Sequence, residues 1–235
     1  MAIVTTDSAA PSSRTLGSQT LARGITGLKA IAGSRDGLTI QQLADQLGVH
    51  RTIASRLTNT LSDAGLIRRN EDGRFRGSSG LLALSSAAYS AARAVALPLL
   101  ADVANELGLT VSLMVREGAE VITLAVVEPL APSYRISFAP GSRHPLNRGA
   151  AGAAIRASWP PSPADPEVVH EARQRGYAVS FAEVEPGMYG VAVPLAGAAL
   201  GFDACINLIT MRAEQVTASV PALLGAARLI EAGLG

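Results

Sequence analysis

The side chains best suited to chemistry in this chain are arginines and small hydrogen-bond donors, clustered between Ile40 and Arg76. In the segment IQQLADQLGVHRTIASRLTN (residues 40–59), Leu43, Ala44, Leu47, Val49, Ile53 and Leu57 fall at helical spacing. With those positions turned inward, the second helix leaves His50, Arg51, Thr52, Ser55, Arg56 and Asn59 outside. All are polar and all can donate hydrogen bonds, as a helix lying in a major groove requires. A guanidinium fork matches the edge of a guanine, so Arg51 and Arg56 are the expected base readers. His50, Thr52 and Ser55 suit phosphate and positioning contacts. Four more arginines follow: Arg68, Arg69, Arg74 and Arg76. They flank Asn70-Glu71-Asp72-Gly73, and Asp-Gly between two short alternating segments predicts a hairpin. Alternation puts Arg74 and Arg76 on one face and Phe75 on the other, an arrangement fit to clamp phosphates or a minor groove. Each element alone also fits a solvated surface, and a winged helix can serve as a protein-binding module. Their adjacency and order favour double-stranded DNA.

Other chemistry is sparse. The sequence has no glycine-rich phosphate loop and no G-x-S-x-G, and His50, His144 and His170 lack metal-ligand spacing. The single cysteine, Cys205, excludes an intramolecular disulfide and sits in an apolar run, where a small buried hydrophobe is the expected role. Nothing here predicts an enzyme, a metal or a cofactor. Residues 1–20 lack a continuous apolar stretch and no span matches a transmembrane helix, so no membrane association is expected and the cytoplasm is the expected compartment.

The elements that must position these residues can be read from the same pattern. Charge divides unevenly: residues 1–77 carry +4 and residues 78–235 carry −3, as a polyanion-binding head on a body with another task would. Residues 1–18 read as a disordered arm, and residues 19–78 as a winged helix-turn-helix. In the latter, Leu21, Ile25, Leu28 and Ile31 mark an opening helix, Thr39 and Gln42 a capping box, and Gly48 a turn. Residues 79–96 read as a linker helix that breaks before Pro98. The rest, residues 97–235, predicts a single domain of the α+β class with an antiparallel sheet. Its expected elements are a helix over 97–107, strands over 110–115, 121–127, 134–138, 191–195 and 202–209, and helices over 149–158, 168–175 and 216–232. Ala150 and Ala151 at a helix start leave room for a ligand and offer backbone N–H groups to an anion. Asn207, polar within an apolar strand, fits a structural amide and a ligand contact equally. Arg148 and His144 suit either a carboxylate partner or a polar surface.

Over residues 18–233 the chain resembles the IclR family of bacterial transcription regulators. The resemblance is carried by GLTIQQLADQLGVHRTIASRLTNTLSDAGLIRRNEDGRFR in the first part. ELGLTVSLMVREGAEVITLAVVE, APGSRHPLNRGAAGAAIRA and RQRGYAVSFAEVEPGMYGVAVPL carry it in the second. It implies a GAF-like C-terminal domain that binds a small organic or aromatic acid, and dimers or tetramers that repress or activate genes. The matching pocket positions are Ala150, Ala151, Glu183, Gly190, Asn207 and Ile209, with Arg148 beside them. Gly190, Asn207 and Ile209 depart from the small hydroxyl or thiol residues usual in the family, and Asn147-Arg148 departs from a histidine and a small residue. A ligand-independent regulator, whose C-terminal domain only oligomerises, is the alternative.

Overall fold

The computed structural model describes residues 17–87, 89–131, 139–195 and 201–234. It divides into two compact units, Met1–Ala88 and Tyr89–Gly235.

The first unit contains α1 (Gln19–Gly33), α2 (Ile40–Leu47), α3 (Arg51–Asp63), β1 (Ile67–Arg69), β2 (Phe75–Gly77) and α4 (Ser79–Ala87). Ser18 caps α1, its hydroxyl accepting the Leu21 N–H at 3.3 Å. Thr39 and Gln42 form the expected reciprocal capping box on α2. Gly48 ends α2 at φ 61°, a left-handed conformation that glycine adopts without a Cβ penalty. The core is Ile31, Leu38, Leu43, Ala44, Ala54, Ile67 and Phe75. Leu21 and Ile25, although at helical spacing with Ile31, are exposed. The expected arm lies outside the described residues apart from Gly17 and Ser18.

The second unit contains α5 (Ser90–Leu107), β3 (Val111–Glu117), β4 (Glu120–Val127), β5 (Arg143–Pro145), α6 (Gly149–Ala157), α7 (Glu167–Arg175), β6 (Ala178–Phe181), β7 (Tyr189–Leu195), β8 (Ala204–Thr210) and α8 (Ala213–Leu234). Six antiparallel strands form one sheet in the order β5-β4-β3-β8-β7-β6. The class is α+β, as expected. Alternation in β8 assigns the two faces. Ala204, Ile206 and Leu208 join Leu100 of α5 and Leu223 and Ile230 of α8 in one core. Cys205 faces the other core, with Met114, Ala192 and the small residues of α6. A strand buried on both faces reads as an apolar run, which is how residues 204–209 read apart from Asn207. α6 lies so close to the preceding loop that a Cβ on Gly152 would sit 2.1 Å from the Leu146 carbonyl oxygen.

Three expectations are corrected. The helical stretch does not break at Pro98: α5 runs from Ser90 through it to Leu107. An interior proline costs about 3 kcal/mol. Here Ala92, Ala96, Leu100, Val103 and Ala104 are buried along the same helix, and that burial outweighs the loss. The break lies instead at Tyr89, held at φ 53° with its ring edge-on to Phe202 and its hydroxyl 3.1 Å from Glu117 Oε1. The expected 79–96 linker helix is therefore only α4, ending at Ala87. Second, β5 and β6 were not anticipated as strands; three and four residues are too few to show a period. Third, Ile53 is exposed rather than inward, as described below. The strand expected over 134–138 lies outside the described residues.

Candidate functional site

In the first unit, α2 and α3 meet at the Gly48 turn, and the Gly48 and Val49 amides both reach back to the Ala44 carbonyl. Ala54, Leu57 and Thr58 form the inner face of α3. The small Ala54 replaces the expected Ile53, which is 37% exposed. Thr58 is tolerated inside because its hydroxyl donates to the Ser55 carbonyl at 2.9 Å. His50, Arg51, Thr52, Arg56 and Asn59 are exposed and Ser55 is half-buried. None of these six side chains has an intramolecular hydrogen bond or ion pair among the described residues. They form one outward face of free donors.

The hairpin pairs Ile67 with Gly77, Arg68 with Arg76 and Arg69 with Phe75. Phe75 is buried, as expected. Arg69 is exposed and its guanidinium lies over the Phe75 ring at 5.8 Å. Arg68 is exposed and donates to Asn70 Oδ1 at 2.6 Å. Arg74 is committed elsewhere: Nη1 donates to the Gly37 carbonyl and to Gln42 Oε1, each at 3.1 Å. It therefore ties the wing to the start of α2. Arg76 Nε is buried without a hydrogen-bond partner among the described residues.

In the second unit, six of the seven expected effector positions come together. Ala150, Ala151, Glu183, Gly190, Asn207 and Ile209 line one small cavity. Arg148 is not among the lining residues. It edges a neighbouring depression, and its guanidinium is bonded to the Glu183 carbonyl. His144 lines both, with Nδ1 3.1 Å from the Pro145 carbonyl; burial, helped by the nearby Arg148, pushes its pKa below the ordinary 6.5. The start of α6 is already capped. Glu183 Oε2 accepts the Gly149 N–H at 2.7 Å, and Ser180 Oγ accepts the Ala150 N–H at 2.9 Å. Asn207 is 4% exposed, and its side-chain amide has no hydrogen-bond partner among the described residues. Sequence reasoning missed Met114, Ser180, Glu185, Met188 and Tyr189. Ser180 had one usable signal, a polar residue two positions from the buried Ala178 on the same strand face. Cys205 is fully buried against the Ala151 carbonyl, and burial pushes its thiol far up.

Among the described residues no single helix is long and apolar enough to cross a membrane, and no cluster of His, Cys, Asp and Glu is arranged to hold a metal ion.

Two family models match the chain: the IclR helix-turn-helix domain over residues 20–71 and the bacterial transcriptional regulator IclR C-terminal domain over residues 87–165. The HTH-type transcriptional regulator KipR of Bacillus subtilis is 25% identical over 187 residues, which are 68% of this chain and 74% of KipR. An IclR transcriptional regulator from Alicyclobacillus acidocaldarius superposes with a TM-score of 0.78 at 25% identity, covering 92% of this chain and 98% of that one. An IclR homolog from Microbacterium hydrocarbonoxydans, solved in complex with 4-hydroxybenzoate, has a TM-score of 0.79 at 22% identity, covering 92% and 99%. With both halves matched in order, on a winged helix-turn-helix and a sheet of the same fold, the chain belongs to the IclR family of transcription regulators and is not an enzyme.

Proposed function

We propose that this regulator binds a specific, roughly palindromic operator as a homodimer or tetramer in the cytoplasm, and that a small organic acid in the cavity of the second unit modulates that binding. The observation that carries the DNA reading is the outward face of α3, whose donors are all unpaired. Arg51 and Arg56 are assigned to base edges, and His50, Thr52 and Ser55 to phosphates. On the wing, Arg68 and Arg76 stand directly opposite each other in the register, and like charges so placed repel. A phosphate between them relieves that repulsion, so they are assigned to the backbone together with Arg69. Arg74 is assigned to holding the wing in place.

The effector reading is supported by the cavity itself, which brings six of the seven expected residues together, and by the family relative that carries 4-hydroxybenzoate. A ligand alters operator affinity only by binding two states of the protein unequally.

Fluorescence anisotropy with the DNA flanking the regulator's own gene tests the proposal. The expected result is affinity that falls steeply with salt and changes on titration with an acid effector. Absence of salt-sensitive affinity for any duplex overturns the DNA reading. An operator affinity unmoved by every acid that binds the cavity leaves a regulator whose second unit only oligomerises.

A further inference from the structure

The cavity holds a carboxylate of its own where an acid effector would bind. Glu183 Oε2 sits 2.7 Å from the Gly149 amide at the start of α6, and Ser180 takes the next amide. Helix N-termini favour anions, and here the chain supplies one. A second and independent feature marks the space as a ligand site rather than a capped helix end. Asn207, 4% exposed, lines the same cavity, and its side-chain amide has no hydrogen-bond partner among the described residues, so it is open to whatever fills the space. Gly190 keeps the two features in communication. A Cβ there would lie 3.3 Å from the Ala150 Cβ and 3.8 Å from Asn207 Oδ1, so any side chain would fill the gap between them.

The charges decide how an acid enters. Glu183 and Glu185 line the cavity, Arg148 lies outside it with its guanidinium bonded to the Glu183 carbonyl, and the lowered pKa of His144 leaves that ring neutral near pH 7. An added carboxylate meets repulsion without a facing cation. If it takes the place of Glu183 on the Gly149 amide, the number of amide bonds is unchanged and the unpaired Asn207 gains a partner. Glu183 is carried on the connection between β6 and β7, which also supplies Val184, Glu185 and Met188 to the cavity wall. Its first residue, Ala182, is held at φ 55°, a conformation L residues rarely adopt, with its N–H bonded to the Met188 carbonyl.

We propose that Glu183 is a tethered stand-in for the effector's carboxylate, so that an acid binds by displacing it and moves the 182–188 connection in doing so. This rests on reading the cavity as an acid site. A tethered competitor acts at an effective concentration of order millimolar or above. The affinity of an acid is therefore a difference between two carboxylates, and the short connection is the part that reports occupancy.

The test uses the full chain and three matched probe pairs: propanoate and benzoate, propanamide and benzamide, propylamine and benzylamine. Thermal-shift titrations compare wild type with Glu183→Gln, which removes the charge but keeps the side chain's shape. The expected result is acid affinity about tenfold or more tighter in Glu183→Gln, with amide affinity unchanged, and loss of the acid response in Asn207→Leu. A measurement on the wild type does not depend on the variants folding: hydrogen exchange under saturating acid should rise in residues 182–188. Acid affinity that is equal or weaker in Glu183→Gln, or a connection that becomes more protected, overturns the proposal while leaving the acid-effector reading intact. If neither acid stabilises wild type or variant, the acid reading itself falls, and this proposal with it. Amines that stabilise wild type but not Glu183→Gln would make Glu183 the contact for a cationic ligand and overturn both.

Discussion

At the scale of single residues, the arginines divide into those free to bind and those already used. Arg51 and Arg56 have no intramolecular partner, so Arg51→Ala or Arg56→Ala should cost roughly 1–3 kcal/mol of specific binding and relax preference at one position. Arg68→Ala should weaken binding to all duplexes alike and lower the salt slope by about one, as expected for one lost phosphate contact. Arg74 looks equivalent in sequence but is spent on Gly37 and Gln42. Arg74→Ala should therefore lower the stability of the first unit in the absence of DNA, by about 1 kcal/mol per hydrogen bond lost, whereas Arg68→Ala, which loses only an exposed bond to Asn70 two residues away, should lower it less. Urea melts of the two variants check this. His144 gives a pH prediction. Its folded pKa lies below 6.5, chiefly through burial, so the folded state disfavours the protonated ring. Stability is level above pH 6.5 and falls as pH drops below it, where the unfolded chain takes up the proton first. His144→Gln should flatten that slope, and an unchanged slope would assign the pH dependence to other groups.

At the scale of elements, close packing sets what the chain tolerates. Gly152→Ala drives a methyl into the Leu146 carbonyl and should destabilise by about 1–3 kcal/mol. Gly225→Ala, in α8 where a Cβ meets nothing within 4 Å, should stabilise by up to about 1 kcal/mol through helix propensity alone. Opposite shifts in thermal melts are the expected pair of results. Packing also explains which elements were legible. The capping box at Thr39 and the Gly48 turn are local, so their chemistry is written in consecutive residues. The inner face of α3 was placed one position off because Ile53 is larger and more apolar than Ala54, yet only the smaller side chain fits where α2 and α3 cross. The run through Pro98 was missed for a related reason. Local rules end a helix there, and the burial that overrides them comes from α8 and the sheet.

At the scale of the whole molecule, the two units answer to different rules of inference. The exposed donors of α3 could be read from the sequence, because solvent-exposed polar residues on a short helix need no tertiary partner to be recognised. The cavity positions came through resemblance, and what the sequence could not supply was their state. That Glu183 already bonds the Gly149 amide, that Arg148 faces away, and that Asn207 lacks a partner depend on which strands become neighbours. If the regulator acts as a symmetric dimer, footprints on its operator should show two protected half-sites roughly 34 Å apart or a multiple of that, and a single protected half-site would exclude this arrangement.

The lone thiol of Cys205 sits on the central strand β8, fully buried directly behind the α6 residues that wall the cavity. Alkylating reagents attack thiolates, and burial keeps this sulfur protonated. Its modification by iodoacetamide thus requires the sheet and α6 to part. The rate of labelling becomes a built-in clock for opening of the second unit, needing no engineered probe. A molecule seated in the cavity should slow that clock in proportion to its occupancy.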